Sequence, residues 1–248
     1  MADPAVTYTR YLQLDELLDL QRLRTAEGGD PEHDEMLFIV IHQVYELWFK
    51  QILWELDHVV ELLDADDRAR AAHGLHRVLR ILKVLVGQLD VLETMTPLEF
   101  LSFRDRLESA SGFQSVQFRD LEALLGLIDA GGREPDPRVA ARLERPTIWH
   151  ALLAHLARSG HADVDPADDE AVRRLLVGVY RDDASGGELL ERFVDLDEGL
   201  QEWRYRHMQM VRRTIGAKVG TGGSSGAEYL ATTIRQAFPH LWSIRAEL

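Results

Sequence analysis

The sequence predicts an all-α fold, and three observations lead there. Leu, Ala, Glu, Arg and Gln dominate the chain, and all of them favour helix. Apolar residues recur at steps of three and four over long stretches instead of alternating. No Asn-Gly or Gly-Asn turn separates alternating β-branched runs, so the usual hairpin signal is absent.

The elements follow in order. Between Met36 and Leu63, Phe38, His42, Tyr45, Phe49, Ile52, Leu56, Val59 and Leu63 mark one face of a long helix. Leu37, Ile41, Val44 and Trp48 form a second stripe beside it, so this helix is expected to be buried on more than one side. Leu75, Val78, Leu82, Leu85, Leu89 and Leu92 define the next helix. Thr96-Pro97 then opens a third, because proline fits the first helical turn; it holds Phe100, Phe103 and Leu107 and is expected to stop at Ser111-Gly112. Another helix is expected over about 114–128. Residues 130–187 are broken by Gly131-Gly132, Pro135, Pro137, Pro146, Pro166 and Gly186-Gly187, and read as an irregular connecting section around the bundle. A long helix over about 188–215 carries Leu196, Leu200, Trp203, His207, Met210 and Thr214 on one face. A glycine-rich loop at 220–226 leads into a closing helix, about 227–238. Residues 1–248 read as one domain, with 1–30 forming an N-terminal arm and helix.

Composition removes several function classes. The 248 residues carry 28 Lys+Arg against 42 Asp+Glu, a formal charge of −14, which opposes sequence-independent binding to phosphate backbones or anionic lipid. No nucleic-acid or membrane partner is expected. The absence of Cys excludes disulfides, thiolate-ligated metal or haem, and cysteine nucleophiles. No secretory leader pattern opens the sequence, and no apolar run approaches the roughly 18 residues that span a bilayer, so a cytoplasmic protein is expected.

Two of the ten histidines interrupt apolar stripes: His42 between Phe38 and Tyr45, and His207 between Trp203 and Met210. Imidazole is costly in a core unless its nitrogens find partners. A single buried histidine is more often satisfied by a carbonyl or a hydroxyl. Two on separate inner faces of a Cys-free bundle could instead hold a haem between helices, and spacing does not say which would bind iron. His73 and His76 sit among arginines and read as a solvated face; no HExxH motif occurs. Arg104 follows Phe103 on a short apolar helix, where a guanidinium can receive a carboxylate through paired N–H bonds, although ordinary ion pairing is the commoner use. The 220–226 loop holds four glycines and three hydroxyls before a helix and suits a carboxylate or a zwitterion, as a mobile lid or as a plain turn. Ala227 and Glu228 after its last glycine argue against a phosphate loop.

The segments HDEMLFIVIHQVYELWFKQILWELD (33–57), FRDRLESASGFQSVQFR (103–119) and WRYRHMQMVRRTIGAKVGTGGSSGAEYL (203–230) closely resemble tryptophan 2,3-dioxygenases. With YTRYLQLDELLDLQ (8–21) they cover well over a third of the chain, and nothing is carried onto 130–187. The resemblance implies one haem b per subunit, with His207 as its proximal ligand, Trp203 and Ser111 as haem contacts, and His42 as the distal histidine that receives the indole N–H. It implies an indole pocket from Phe38, Phe100 and the arm residues Tyr11 and Leu12, with Tyr8 a further arm position near the site. Arg104 becomes the anchor for the substrate carboxylate, and Thr221 the lid hydroxyl at the amino-acid moiety. It further implies a homotetramer of dimers in which the arm reaches a neighbouring pocket. The implied reaction inserts both atoms of O2 across the indole C2–C3 bond of L-tryptophan, giving N-formyl-L-kynurenine at the head of tryptophan degradation. Two alternatives stay open on the sequence: a related haem oxygenase acting on substituted tryptophans, with one oxygen inserted, and a haem sensor without turnover.

Overall fold

Helix is the only regular secondary structure among the residues described by the computed structural model, which are 6–128, 135–220, 223 and 225–248. Two short exposed helices, α1 (Tyr8–Leu12) and α2 (Leu14–Leu17), open the chain and bury no residue. Gln13 between them adopts a left-handed conformation (φ 52°). The arm is clamped at its far end: Glu35 receives the backbone N–H groups of Arg24 and Thr25, and Gln21 donates to Gln43 at 2.6 Å.

Three long helices build the core: α3 (His33–Asp64), α4 (Arg68–Leu92) and, near the carboxyl end, α10 (Ala184–Ile215). α4 packs antiparallel to α3. Their register is fixed where the Tyr45 hydroxyl donates to the Leu85 carbonyl at 2.8 Å and Arg77 pairs with Glu55. Close approach depends on Gly74, where a Cβ would lie 2.8 Å from a Val59 methyl. Ile52, Leu56, Val59, Leu75, Leu85, Leu89, Leu190 and Phe193 are essentially inaccessible to water. Each such large side chain contributes about 1.5–3 kcal/mol by leaving water.

α5 (Pro97–Arg104) begins as expected, with Pro97 in its first turn and a reciprocal cap between Thr96 and Glu99. It ends earlier than expected. After a 3-10 turn at Asp105–Leu107, Glu108 takes a left-handed conformation (φ 51°) and breaks the path before Ser111. α6 (Val116–Leu124) stops short of Ile128, because Leu125 leads into Gly126 at φ 75°.

The 130–187 section departs most from the sequence reading. Residues 129–134 lie outside the described residues. From there the chain forms α7 (Pro137–Leu143), α8 (Ile148–Arg158) and α9 (Asp169–Asp182), not irregular connections. Ile148, Leu152, Leu156, Val172, Leu176 and Val179 belong to the same core as α3 and α4. Two of the prolines here mark helix starts: Pro137 occupies the first turn of α7, and Pro146 stands just before Thr147, the N-cap of α8. Gly186-Gly187 does not interrupt the chain either. The Asp183 carboxylate accepts the Gly186 N–H, so the pair lies inside the first turn of α10.

The closing helix expected over 227–238 ends at Thr232 as α11 (Ala227–Thr232), and a separate helix, α12 (Pro239–Ser243), follows. Asp197, fully buried on α10, accepts N–H bonds from Ala237 and Phe238 at 2.9 and 3.0 Å and from the Trp242 indole at 2.8 Å. Those backbone groups are spent on a carboxylate and are lost to helical pairing. No helix among the described residues is long and apolar enough to cross a membrane.

Candidate active site

The site lies where α3, α5, α6 and α10 converge. α3 contributes Phe38 and His42, one turn apart, with ring centroids 4.1 Å from each other. Phe38 also meets Phe100 at 5.8 Å and Phe103 at 5.6 Å, so the start of α3 and α5 share an aromatic wall. α10 contributes Trp203 and His207. Their rings stack nearly parallel, 9° apart with centroids at 5.4 Å. Trp203 is held in turn by Phe49 at 5.8 Å, Phe118 at 5.1 Å and Tyr45 at 6.1 Å. Burial pushes the Tyr45 hydroxyl up to about 12, so it stays a neutral donor to Leu85.

The two histidines lie close enough that a proton on His42 disfavours one on His207. His42 sits 2.6 Å from the Phe38 carbonyl through Nδ1. A carbonyl only accepts, so Nδ1 carries the hydrogen, and in the neutral ring Nε2 presents a lone pair. Burial lowers the His42 pKa more than the Phe38 carbonyl and Glu46 raise it, which favours that neutral form. His207 is lowered to about 4, first by burial and then by the positive charges of His42 and Arg204. His207 is half-buried, and neither of its ring nitrogens has a hydrogen-bond partner among the described residues. It is thus a neutral imidazole left without a hydrogen-bond partner among those residues.

Other groups around it are unsatisfied as well. Among the described residues, the buried Trp203 indole N–H and Arg204 Nε–H have no partners; the indole approaches Tyr45 outside hydrogen-bond geometry. Among the described residues no cluster of three or more His, Asp or Glu could bind a bare metal ion. A lone free imidazole amid aromatic rings suits a metal that arrives with its remaining ligands, as in a porphyrin. Two open surface clefts lie elsewhere, one lined by His161, Arg174 and Gly178 and one by Leu143, Pro146 and His150; neither borders the histidine pair.

Arg104 stands at the end of α5, half-buried, and its guanidinium donates to the Val219 carbonyl at the root of the glycine-rich loop. Among the described residues this leaves most of its N–H groups free. Thr221 lies outside the described residues. Ser111 is half-buried and caps the short turn at Gly112–Gln114 through its hydroxyl. Tyr8, Tyr11 and Leu12 are not brought to the site of their own chain. They are 76%, 75% and 40% exposed.

A sequence model of the tryptophan 2,3-dioxygenase family matches residues 1–132 and 155–248. The chain belongs to this family. The tryptophan 2,3-dioxygenase of Herpetosiphon aurantiacus is 52% identical over 98% of this chain and 99% of its own length. That of an Anaeromyxobacter strain is 52% identical over the whole of both chains, and that of Bacillus anthracis 40% identical over 98% of this chain and 93% of its own. Within the tryptophan 2,3-dioxygenase match, the unmatched interval 133–154 falls on α7 and the start of α8, away from the two histidines.

Sequence reasoning missed Phe103, Phe118, Arg204 and Glu122 as members of this site. The phenylalanines were visible only as ordinary core positions. Arg204 was hidden in WRYRH, where a second arginine, Arg206, also precedes His207, yet its place one turn before that histidine on the same helix was a usable signal.

Proposed function

We propose that this protein is a haem-dependent dioxygenase that inserts both atoms of O2 across the indole C2–C3 bond of L-tryptophan, yielding N-formyl-L-kynurenine. The observation that carries the reading is the pairing of an unbonded His207 with a His42 whose free nitrogen is an acceptor, inside the aromatic cage of α3, α5 and α10. His207 would ligate haem b, with Trp203 stacked on the ligand and Ser111 contributing a haem contact. The lowered pKa of His207 keeps it free of a proton at neutral pH, which an imidazole ligand requires. When bound, haem supplies a ferrous centre with one open position for O2.

The protein's own groups then do the positioning. The neutral His42 receives the indole N–H at Nε2, because its Nδ1–H is already committed to Phe38. This favours a role in orienting the ring. Phe38 and Phe100 wall the indole. Arg104 takes the substrate carboxylate with N–H groups that Val219 leaves unused, and Thr221 would meet the amino-acid moiety from the loop. Fixing both ends of the substrate turns an encounter into a held geometry. Tyr8, Tyr11 and Leu12 would complete the pocket of a neighbouring subunit in a cytoplasmic homotetramer of dimers. Their exposure, on two helices that bury nothing in their own chain, supports this use.

The test is turnover of L-tryptophan by haem-reconstituted protein under isotopically labelled O2. Product carrying two labels is expected. A single label would mean a monooxygenase, and an oxygen complex without formylkynurenine would mean a sensor.

A further inference from the structure

One turn before His207 on α10 lies a buried charge cluster that plays no part in holding the substrate. Arg204 is 4% exposed, and its guanidinium donates to Glu122 at 2.7 Å and to the Thr233 carbonyl, while Nε–H has no partner among the described residues. Glu122, 3% exposed, also accepts from Arg119 at 2.6 Å. Arg119 lies over the Phe113 ring at 4.4 Å, and Arg204 faces Phe118 at 5.4 Å. Two guanidiniums and one carboxylate leave the cluster with one net positive charge. A buried ion pair is weak support for stability, and an additional unbonded N–H makes the arrangement costlier than an apolar replacement.

Its position suggests a use. Residues three apart on a helix have Cβ atoms roughly 5–6 Å apart, so Arg204 and His207 are neighbours. Low polarity around them lets a fixed charge be felt over that distance. On the reading of His207 as the haem ligand, we propose that Arg204, locked by Glu122 and Thr233, is a positioning residue whose fixed cation favours the ferrous over the ferric form of the bound haem. A ferric centre carries one more positive charge than a ferrous one, so a nearby cation disfavours it. No described carboxylate or carbonyl accepts from His207, so nothing lends that imidazole the anionic character that would offset the cation. The ferrous form is the one that takes O2.

The experiment is a spectroscopic redox titration of reconstituted holoprotein, reduced stepwise by dithionite through mediators, comparing wild type with Arg204→Met, Arg204→Lys and Glu122→Gln. Arg204→Met should lower the ferrous-to-ferric ratio at a fixed potential about tenfold, equivalent to about 59 mV for one electron. Arg204→Lys should restore most of it, and Glu122→Gln, which uncovers the cation, should shift the ratio the other way. An Arg204→Met protein that titrates like wild type overturns the proposal, as does a shift of the same sign in Arg204→Met and Glu122→Gln. If Arg204→Met does not fold, Glu122→Gln decides: an upward shift supports the proposal, and none or a downward one overturns it. Failure of the underlying ligand assignment shows separately, as unaltered haem uptake in His207→Ala.

Discussion

Replacing Arg104 by Leu isolates the carboxylate clamp. The guanidinium offers five N–H groups, one of which goes to the Val219 carbonyl, so an edge of two remains for a carboxylate. A hydrogen bond to a charged partner contributes about 1.5–3 kcal/mol, which puts an upper limit of about 3–6 kcal/mol on the pair. Arg104 is half-buried, so water competes, and about 2–3 kcal/mol is the appropriate magnitude. At about 1.4 kcal/mol per tenfold, the half-saturating L-tryptophan concentration should rise about 30- to 150-fold. Arg104→Lys, which keeps the charge but loses the fork, should fall between. The assay follows formylkynurenine formation against substrate concentration, with tryptamine, which lacks the carboxylate, as a control for haem-site integrity through its binding difference spectrum. Unchanged half-saturation for L-tryptophan refutes the clamp, as does an equal loss of tryptamine binding.

Three further outcomes are expected. His42→Ala should slow turnover while leaving a measurable residue, because the ring orients the indole; complete loss with substrate still bound would assign it an obligatory proton transfer. Asp197→Ala should lower stability by several kcal/mol in urea unfolding, since it orphans buried donors on Ala237, Phe238 and Trp242 at about 1–3 kcal/mol each; a midpoint near wild type would contradict that network. The haem-free protein should lose stability as pH falls from about 6.5 towards 4. His42 and His207 resist protonation when folded and accept it when unfolded, so the unfolded state binds more protons in that window. A flat unfolding midpoint across this range would refute the burial of both rings.

Much of the fold was legible because periodicity reports which face of a helix is buried. The stripes on α3, α4 and α10 and the Thr96-Pro97 start need only local rules. The section 137–182 was misread because Pro137 and Pro146, which mark helix starts, look from sequence alone like interruptions. The division after α11 was invisible, since its cause is Asp197, some 40 residues away in sequence. At the site, His42 and His207 were noticeable because each violates an apolar stripe. Arg204 violates no pattern; only the fold shows that Glu122 and Phe118 enclose it. The exposure of Tyr8 and Tyr11 is the counterpart case, residues whose type promises burial that a single chain does not supply.

The most direct measurement is a haem titration of the purified protein followed by absorption, in wild type and in His207→Ala. The account predicts uptake of one haem per chain by wild type, with a spectrum of single-imidazole ligation that is lost in the variant. Wild-type protein that stays colourless, or a variant with the same spectrum and affinity, would contradict it.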